Sequence, residues 1–328
     1  MTRISVVIPV RNEEDVLPAL HDRLTQVLRG LGVGYELVFV NDGSTDRTAA
    51  VLAALRERDP SVAIVDMSRG FGKEIGISAG LDHARGDAVV IIDADLQDPP
   101  ELIPEFVKHW REGHDVVYGV RTKRDGESIL KRATAFLFYR AIGRMSRVAI
   151  PPDTGDFRLL SRRAVDALRQ MPEQHRFMKG LFAWVGFSHK AVPYRRDPRS
   201  AGTTKFNYWK LWNFAIEGIT SFSTAPLKFA TYFGMFIAVC AFLYALVIFF
   251  KTLAYGNPVA GYPSLLTIVL FLGGVQLVTI GVLGEYVGRI FEQVKQRPLY
   301  LVRQFLPAGG GPARPARPPR RANARAER

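Results

Sequence analysis

Four acidic or amide side chains fall close together in the run DADLQDPPE at residues 93–101: Asp93, Asp95, Gln97 and Asp98. Carboxylates crowded in this way repel one another unless a cation lies among them, and an all-oxygen set suits Mg2+ or Mn2+. A diphosphate would fill the coordination positions that the chain leaves open, and the metal would then offset charge on a leaving nucleoside diphosphate. The plainer reading is an acidic helix start capped by Asp98 ahead of Pro99 and Pro100, and it leaves Asp93 and Asp95 without a reason. A second run, VNDGSTDRT at residues 40–48, sets Asp42 at the end of an apolar stretch, then a glycine turn, then a helix start capped by Ser44. A carboxylate there can accept hydrogen bonds from a nucleobase or a ribose, and a simple capped turn fits the same residues.

These groups need a scaffold that brings strand ends together. The short apolar run ISVVIPV at residues 4–10 reads as a strand covered on both faces. Asn12, followed by Glu13, Glu14 and Asp15, is expected to cap a helix carrying Val16, Leu20, Leu24 and Val27 inward and ending near Gly30. Strands are then expected at residues 36–40, 62–67, 88–93 and 115–120, with helices at 45–58, 72–84 and 101–110 between them. This alternation predicts an α/β, Rossmann-like sheet with right-handed crossovers. Ligands in such sheets bind beyond the carboxyl ends of the strands, so the polar residues after Val10, Val40 and Ile92 should converge. Gly70, Gly72 and Gly76 match neither GxGxxG nor a Walker loop, which argues against nicotinamide and ATP; a tight turn is the expected use.

The 328 residues carry a formal charge of +13 and a single cysteine. One cysteine excludes an internal disulfide framework, and Cys240 lies in an apolar run, where a small buried hydrophobe is expected. A mean hydropathy near zero conceals two populations. Residues 229–250 are almost uncharged, and about 22 residues at about 1.5 Å each span roughly 33 Å, enough for a bilayer core. Residues 264–287 form a second such span with Gly273, Gly274, Gly281 and Gly284, so a transmembrane hairpin is expected over residues 226–288. The connecting loop holds only Lys251, whereas Arg289, Lys295, Arg297 and Arg303 follow the second span. That bias, together with the lack of an apolar signal core at the start, places both termini in the cytoplasm. Basic residues concentrate in 131–147 and after Arg289, beside the membrane, which favours anionic lipid over nucleic acid. Residues 128–147 and 206–222 alternate apolar and basic or polar positions at helical spacing, as a helix lying on a membrane or packed on a core would. Residues 289–306 read as a juxtamembrane segment, and 307–328, rich in Pro, Ala, Gly and Arg, as a disordered basic tail.

Taken together, VVIPVRNEE, VNDGSTDRT, RGFGKE and DADLQDPPE resemble the family 2 glycosyltransferases of GT-A fold, in particular the polyprenyl-phosphate glycosyltransferases similar to dolichyl-phosphate mannose synthase. YGVRTKRDGES, DTGDFRLLSRR, RFMKGLFAWVGF and the two apolar spans resemble the bacterial undecaprenyl-phosphate glucosyl and aminoarabinose transferases. The resemblance implies a catalytic domain over residues 1–205, an interfacial helix at 206–225, and the hairpin. It implies that Pro9, Arg11, Glu13, Asp42, Lys73 and Asp93 bind the donor, and that Asp95 and Gln97, with Asp93, hold the metal. Arg121, Ser128, Arg132, Arg199 and Lys205 would meet the acceptor phosphate or the donor diphosphate, and Arg195, Arg196 and Arg199 compete for one role in that loop. Asp156 would lie below the sugar, so that Asp95, Asp156 and Arg121 are the candidate catalytic groups. A homotetramer in the bacterial inner membrane and a separate flippase for the product are implied in the same way.

One chemical point stands without the resemblance. A phosphomonoester is largely anionic at neutral pH and can attack a sugar carbon without a strong general base, but it needs Arg or Lys to position it. With it, the resemblance implies inverting transfer from a nucleotide sugar, such as UDP-glucose, to undecaprenyl phosphate. Two alternatives remain: a processive polysaccharide synthase, for which no QxxRW is found, and a non-catalytic scaffold that binds nucleotide or lipid.

Overall fold

The computed structural model describes residues 2–121, 154–171, 173–195, 225–255 and 261–309. Four parallel strands form its centre: β1 (Arg3–Val10), β2 (Gly34–Asn41), β3 (Val62–Met67) and β4 (Ala88–Ile91), with β1 between β2 and β4. Their apolar runs are nearly continuous because both faces are covered. On one face Ile4, Val6 and Ile8 pack with Leu20 and Leu24 of α1 (Leu17–Gly30), Leu52 of α2 (Thr48–Arg58) and Phe106 of α4 (Ile103–Arg111). On the other, Val7 packs with Ile77 of α3 (Lys73–His83), Val165 of α5 (Arg162–Arg169) and Leu181 of α6 (Met178–Trp184).

The sheet has eight strands in the order β7-β5-β6-β4-β1-β2-β3-β8. Here β5 is Val116–Arg121, β6 Thr154–Ser161, β7 His189–Tyr194 and β8 Val302–Leu306. Two strands oppose the rest: β6 runs antiparallel to β4 and β5, and β8 antiparallel to β3. The sheet is thus mixed, and the reversal of β6 brings its first residues to the edge where β4 ends.

Three expected helix caps give way to tertiary contacts. Asn12 adopts φ +57° and accepts from the Thr45 amide at 2.8 Å, tying the loop after β1 to the loop after β2, and α1 begins later, at Leu17. The Ser44 hydroxyl accepts from the Asn12 amide, while the amide of Thr48 at the start of α2 is held by Asp46. Asp98 is buried and accepts from Tyr194, so it does not cap the 3-10 turn Pro100–Leu102. Each side chain bonds a residue distant in sequence in preference to its own helix, an exchange open to Asn, Ser and Asp alike.

Two long helices follow, α7 (Ala225–Tyr255, 31 residues) and α8 (Tyr262–Val294, 33 residues), both long and apolar enough to cross a membrane. Their side chains, including Phe229, Phe236, Val247, Leu277 and Ile280, are exposed on the chain. Cys240 is exposed as well, which corrects the expected burial: it sits on a long apolar helix that no other part of the described chain covers at this face. The stretch after α8 is more than a juxtamembrane segment. Tyr300 is buried and β8 adds an edge strand beside β3.

Gly43 has φ +62°, and a Cβ there would meet the backbone of Arg69 and Gly70. Gly43→Ala should therefore destabilise the domain by about 1–3 kcal/mol. A melting midpoint in detergent equal to that of the parent would contradict this contact.

Candidate active site

The carboxyl ends of β1, β2 and β4 lead into Arg11, Asp42 and Asp93, and the reversed β6 contributes Asp156 to the same edge. Ile91 pairs with Arg158, so continuing that register by two positions sets Asp93 across from Asp156. Lys73, the first residue of α3, places its Nζ between them, 2.6 Å from Asp93 and 2.5 Å from Asp156. Gly72, at φ +101°, makes the turn that aims α3 at this point.

One positive charge is shared by two negative ones in this group. Burial disfavours the charged forms of both Lys73 and Asp156, yet their contact wins: the lysine is pushed above its ordinary range and the Asp156 carboxyl held well below the usual one. Asp156 Oδ1 is buried and has no hydrogen-bond partner among the described residues. Behind it Arg158, also buried, donates to the Gly155 carbonyl at 2.7 Å and lies 3.8 Å from the centroid of the Phe182 ring. Glu74 accepts from the Met178 amide at 3.0 Å, and burial together with the negative charge of Asp156 raises its pKa to about 7.

Arg121 closes one side of the cleft. It lies against Gly155 and donates through Nε to the Tyr194 hydroxyl at 3.4 Å, and that hydroxyl donates to Asp98. On the other side, Asp42 accepts from the Phe71 amide at 2.6 Å and the Gly72 amide at 3.0 Å, with Arg11 at 3.8 Å. Asp42 thus fixes the loop at residues 68–72, and Gly70 of that loop lies under the Arg11 guanidinium. Pro9 borders α3 at Gly76, and the Glu13 amide donates to Thr48.

The expected metal trio is only partly assembled. Asp93 is taken by Lys73, and among the described residues no three His, Cys, Asp or Glu side chains form a cation cage. Asp95 and Gln97 flank Leu96, which holds φ +57° with its side chain buried, and both are half-buried at the strand edge. Asp95 accepts from the Gln97 amide at 3.2 Å. A carboxylate and an amide oxygen in a strained loop fit a hard divalent ion that takes its other ligands from a diphosphate.

Ser128, Arg132, Arg199 and Lys205 lie outside the described residues, as do the amphipathic stretches at 128–147 and 206–222 and the tail from residue 310. Three contributors were not singled out from sequence: Glu74, Arg158 and Tyr194. Glu74 adjoins Lys73 in the GKE run, which was the available signal. Arg158 and Tyr194 join the site only through the register of β6 and the pairing of β5 with β7.

This cleft, at the strand ends of a mixed α/β sheet ahead of two apolar helices, is that of a nucleotide-sugar enzyme. The family model for glycosyl transferase family 2 matches residues 5–169, and that for the GtrB C-terminal hairpin matches residues 225–290. An uncharacterized glycosyltransferase of Synechocystis sp. is 55% identical over 299 residues, 91% of this chain and 94% of its own. The SfII prophage-derived bactoprenol glucosyl transferase of Shigella flexneri is 49% identical over 302 residues, 92% of this chain and 98% of its own. Among solved structures, glucosyl-3-phosphoglycerate synthase from Mycobacterium tuberculosis shares the fold, with a TM-score of 0.50 at 22% identity over 67% of this chain and 76% of its own. The chain belongs to glycosyl transferase family 2 and is a glycosyltransferase of GT-A fold with a C-terminal hairpin of two apolar helices.

Glu74 sets a pH dependence. Its pKa is raised in the fold, so its contribution to stability is present below the ordinary carboxyl pKa of 4.5 and is lost as pH rises through about 7. Glu74→Gln keeps an acceptor for the Met178 amide and should remove this component. Between pH 5.5 and 8.5 the melting midpoint of the parent should fall relative to the variant by on the order of a few degrees. Parallel curves would refute the assignment.

Proposed function

We propose that the chain transfers a sugar from a nucleotide sugar, UDP-glucose or a related UDP-sugar, to undecaprenyl or another polyprenyl phosphate. The observation that carries this reading is Asp156: a buried carboxylate kept ionised by Lys73, placed with Asp93 at the strand ends that also carry Arg11, Asp42 and Arg121. The acceptor and sugar are supported by the Shigella relative, a bactoprenol glucosyl transferase by name, and by the apolar hairpin.

A phosphate oxygen of the acceptor forms the new bond to the anomeric carbon, and the bond from that carbon to the donor diphosphate breaks, its electron pair leaving on the nucleoside diphosphate. Displacement from the opposite side inverts the centre. Because the acceptor is already anionic, no residue need remove a proton from it. Arg121, braced by Tyr194, positions the incoming phosphate, and Arg132, Arg199, Lys205 and Ser128 act with it on the two phosphate groups. Asp156, held by Lys73, lies below the sugar. Asp42 holds the loop at 68–72 against the nucleoside, with Pro9, Arg11 and Glu13 lining the other side. Asp95 and Gln97, with Asp93 nearby, hold Mg2+ or Mn2+, which when bound neutralises charge on the leaving diphosphate.

In this reading the catalytic domain and both termini face the cytoplasm, as the basic residues that follow α8 support. Residues 206–225 lie at the lipid surface where the acceptor head group emerges. The chain works as a homo-oligomer and hands its product to a separate flippase.

The test is UDP release by the full chain in vesicles. Release should require both undecaprenyl phosphate and Mg2+ or Mn2+, and Asp95→Ala should lower turnover at least about a hundredfold. Undiminished release by Asp95→Ala or in a chelator would overturn the cation's role, and release indifferent to the lipid would overturn the acceptor.

A further inference from the structure

The strand that follows the membrane hairpin reaches the rim of the donor cleft, and its side chains continue a chain of hydrogen bonds across that rim. β8 pairs with β3 from Ile64↔Leu306 to Asp66↔Gln304, then shifts so that Met67 faces Val302. Arg303 is the additional residue at this shift, where a bulge re-aims a side chain. Its guanidinium lies 3.4 Å from Asp66 and donates to the Ser68 carbonyl at 3.1 Å. Asp66 in turn accepts from the Asn41 side chain at 2.8 Å, Asn41 accepts from the Ser44 amide at 3.1 Å, and the Ser44 hydroxyl accepts from the Asn12 amide at 3.1 Å. The line runs from β8 across the ends of β3 and β2 to the loop after β1.

Ser68 is pinned a second time, since its amide donates to the Leu301 carbonyl at 2.8 Å. It opens the loop at 68–72 whose Phe71 and Gly72 amides Asp42 holds. Just before β8, Tyr300 is buried and donates to Asp82 on α3 at 2.7 Å, and Phe305 lies 4.6 Å from the His83 ring, centroid to centroid. The segment therefore grips the loop before α3 and the far end of α3 itself.

We propose that Arg303 is a positioning residue for the donor: through Asp66 and the Ser68 carbonyl it sets the loop at 68–72 and the Asn41–Ser44 turn, so that nucleotide affinity depends on the strand returning from the membrane hairpin. This rests on reading that loop as part of the donor site. Arg303 is two-thirds exposed, so as a lone surface pair with Asp66 it would contribute little to stability; its reach to a backbone carbonyl as well gives it geometric control.

The experiment uses the full chain in detergent with undecaprenyl phosphate, UDP-glucose and Mn2+. Arg303→Ala should raise the KM for UDP-glucose and weaken UDP binding by calorimetry, each about tenfold, with kcat and the KM for the lipid within about twofold of the parent. Arg303→Lys should recover part of the loss, and Gln304→Ala, an exposed neighbour outside the hydrogen-bonded line, should match the parent. Hydrogen exchange at residues 68–72 without ligand should be faster in Arg303→Ala. Unchanged exchange, or an unchanged donor KM with active parent enzyme, overturns the proposal. A parent that neither binds UDP nor turns over refutes the donor reading instead, and the exchange measurement still decides whether Arg303 sets the loop.

Discussion

A single ammonium group shared by two carboxylates is the contact around which the cleft is arranged. Asp93 lies two residues beyond the end of β4 and Asp156 is the third residue of the reversed β6, so the sheet itself brings two negative charges together. In a poorly solvated cleft such a pair repels strongly, and one acid would take up a proton unless a cation intervened. Lys73 supplies that cation from the start of α3, and its contact keeps the Asp156 carboxyl well below the usual range. What the fold must then secure is the placement of α3. It does so with the turn at Gly72, with the packing of Ile77 and Leu81 in the apolar layer around Val7, and with the grip of Tyr300 on Asp82.

The sheet's centre was legible because a strand covered on both faces must be apolar almost throughout. The run at residues 62–67 matches β3 in full, and the runs at 4–10 and 36–40 fall within β1 and β2. Polarity does not encode direction, and the reversal of β6, whose sequence TGDFRLLS mixes charged and apolar residues, depended on which neighbours were free to pair. The caps were misread for a related reason. Asn12, Ser44 and Asp98 carry the right chemistry for a helix start, but each serves a distant partner, and no local pattern distinguishes the two uses.

The site divides along the same line. Asp42, Asp93 and Asp95 could be singled out because each follows an apolar run, and strand ends converge in such sheets. That Lys73 sits between Asp93 and Asp156 rests on the β4 and β6 register, which emerges only once the strands pair. The strand β8 was hidden more thoroughly. VRQFL has the charged, mixed character of an edge strand, and it follows a helix long and apolar enough to cross a membrane, where a basic stretch has a ready explanation in lipid head groups.

The charge balance of the described cleft bears on what else the reaction needs. Lys73 is matched by Asp93 and Asp156, Arg11 lies beside Asp42, and Arg121 is linked through Tyr194 to Asp98, so the cleft has little positive charge to spare. Donor diphosphate and lipid phosphate are both anionic, and bringing them within bonding distance is unfavourable without further cations. A divalent ion, which Asp95 and Gln97 are proposed to hold, would be one source. The sequence offers another in the basic residues of 122–147 and 195–205, which flank the cleft-forming strands β5 and β7. These basic residues are thus encoded directly after β5, which ends on Arg121, and after β7.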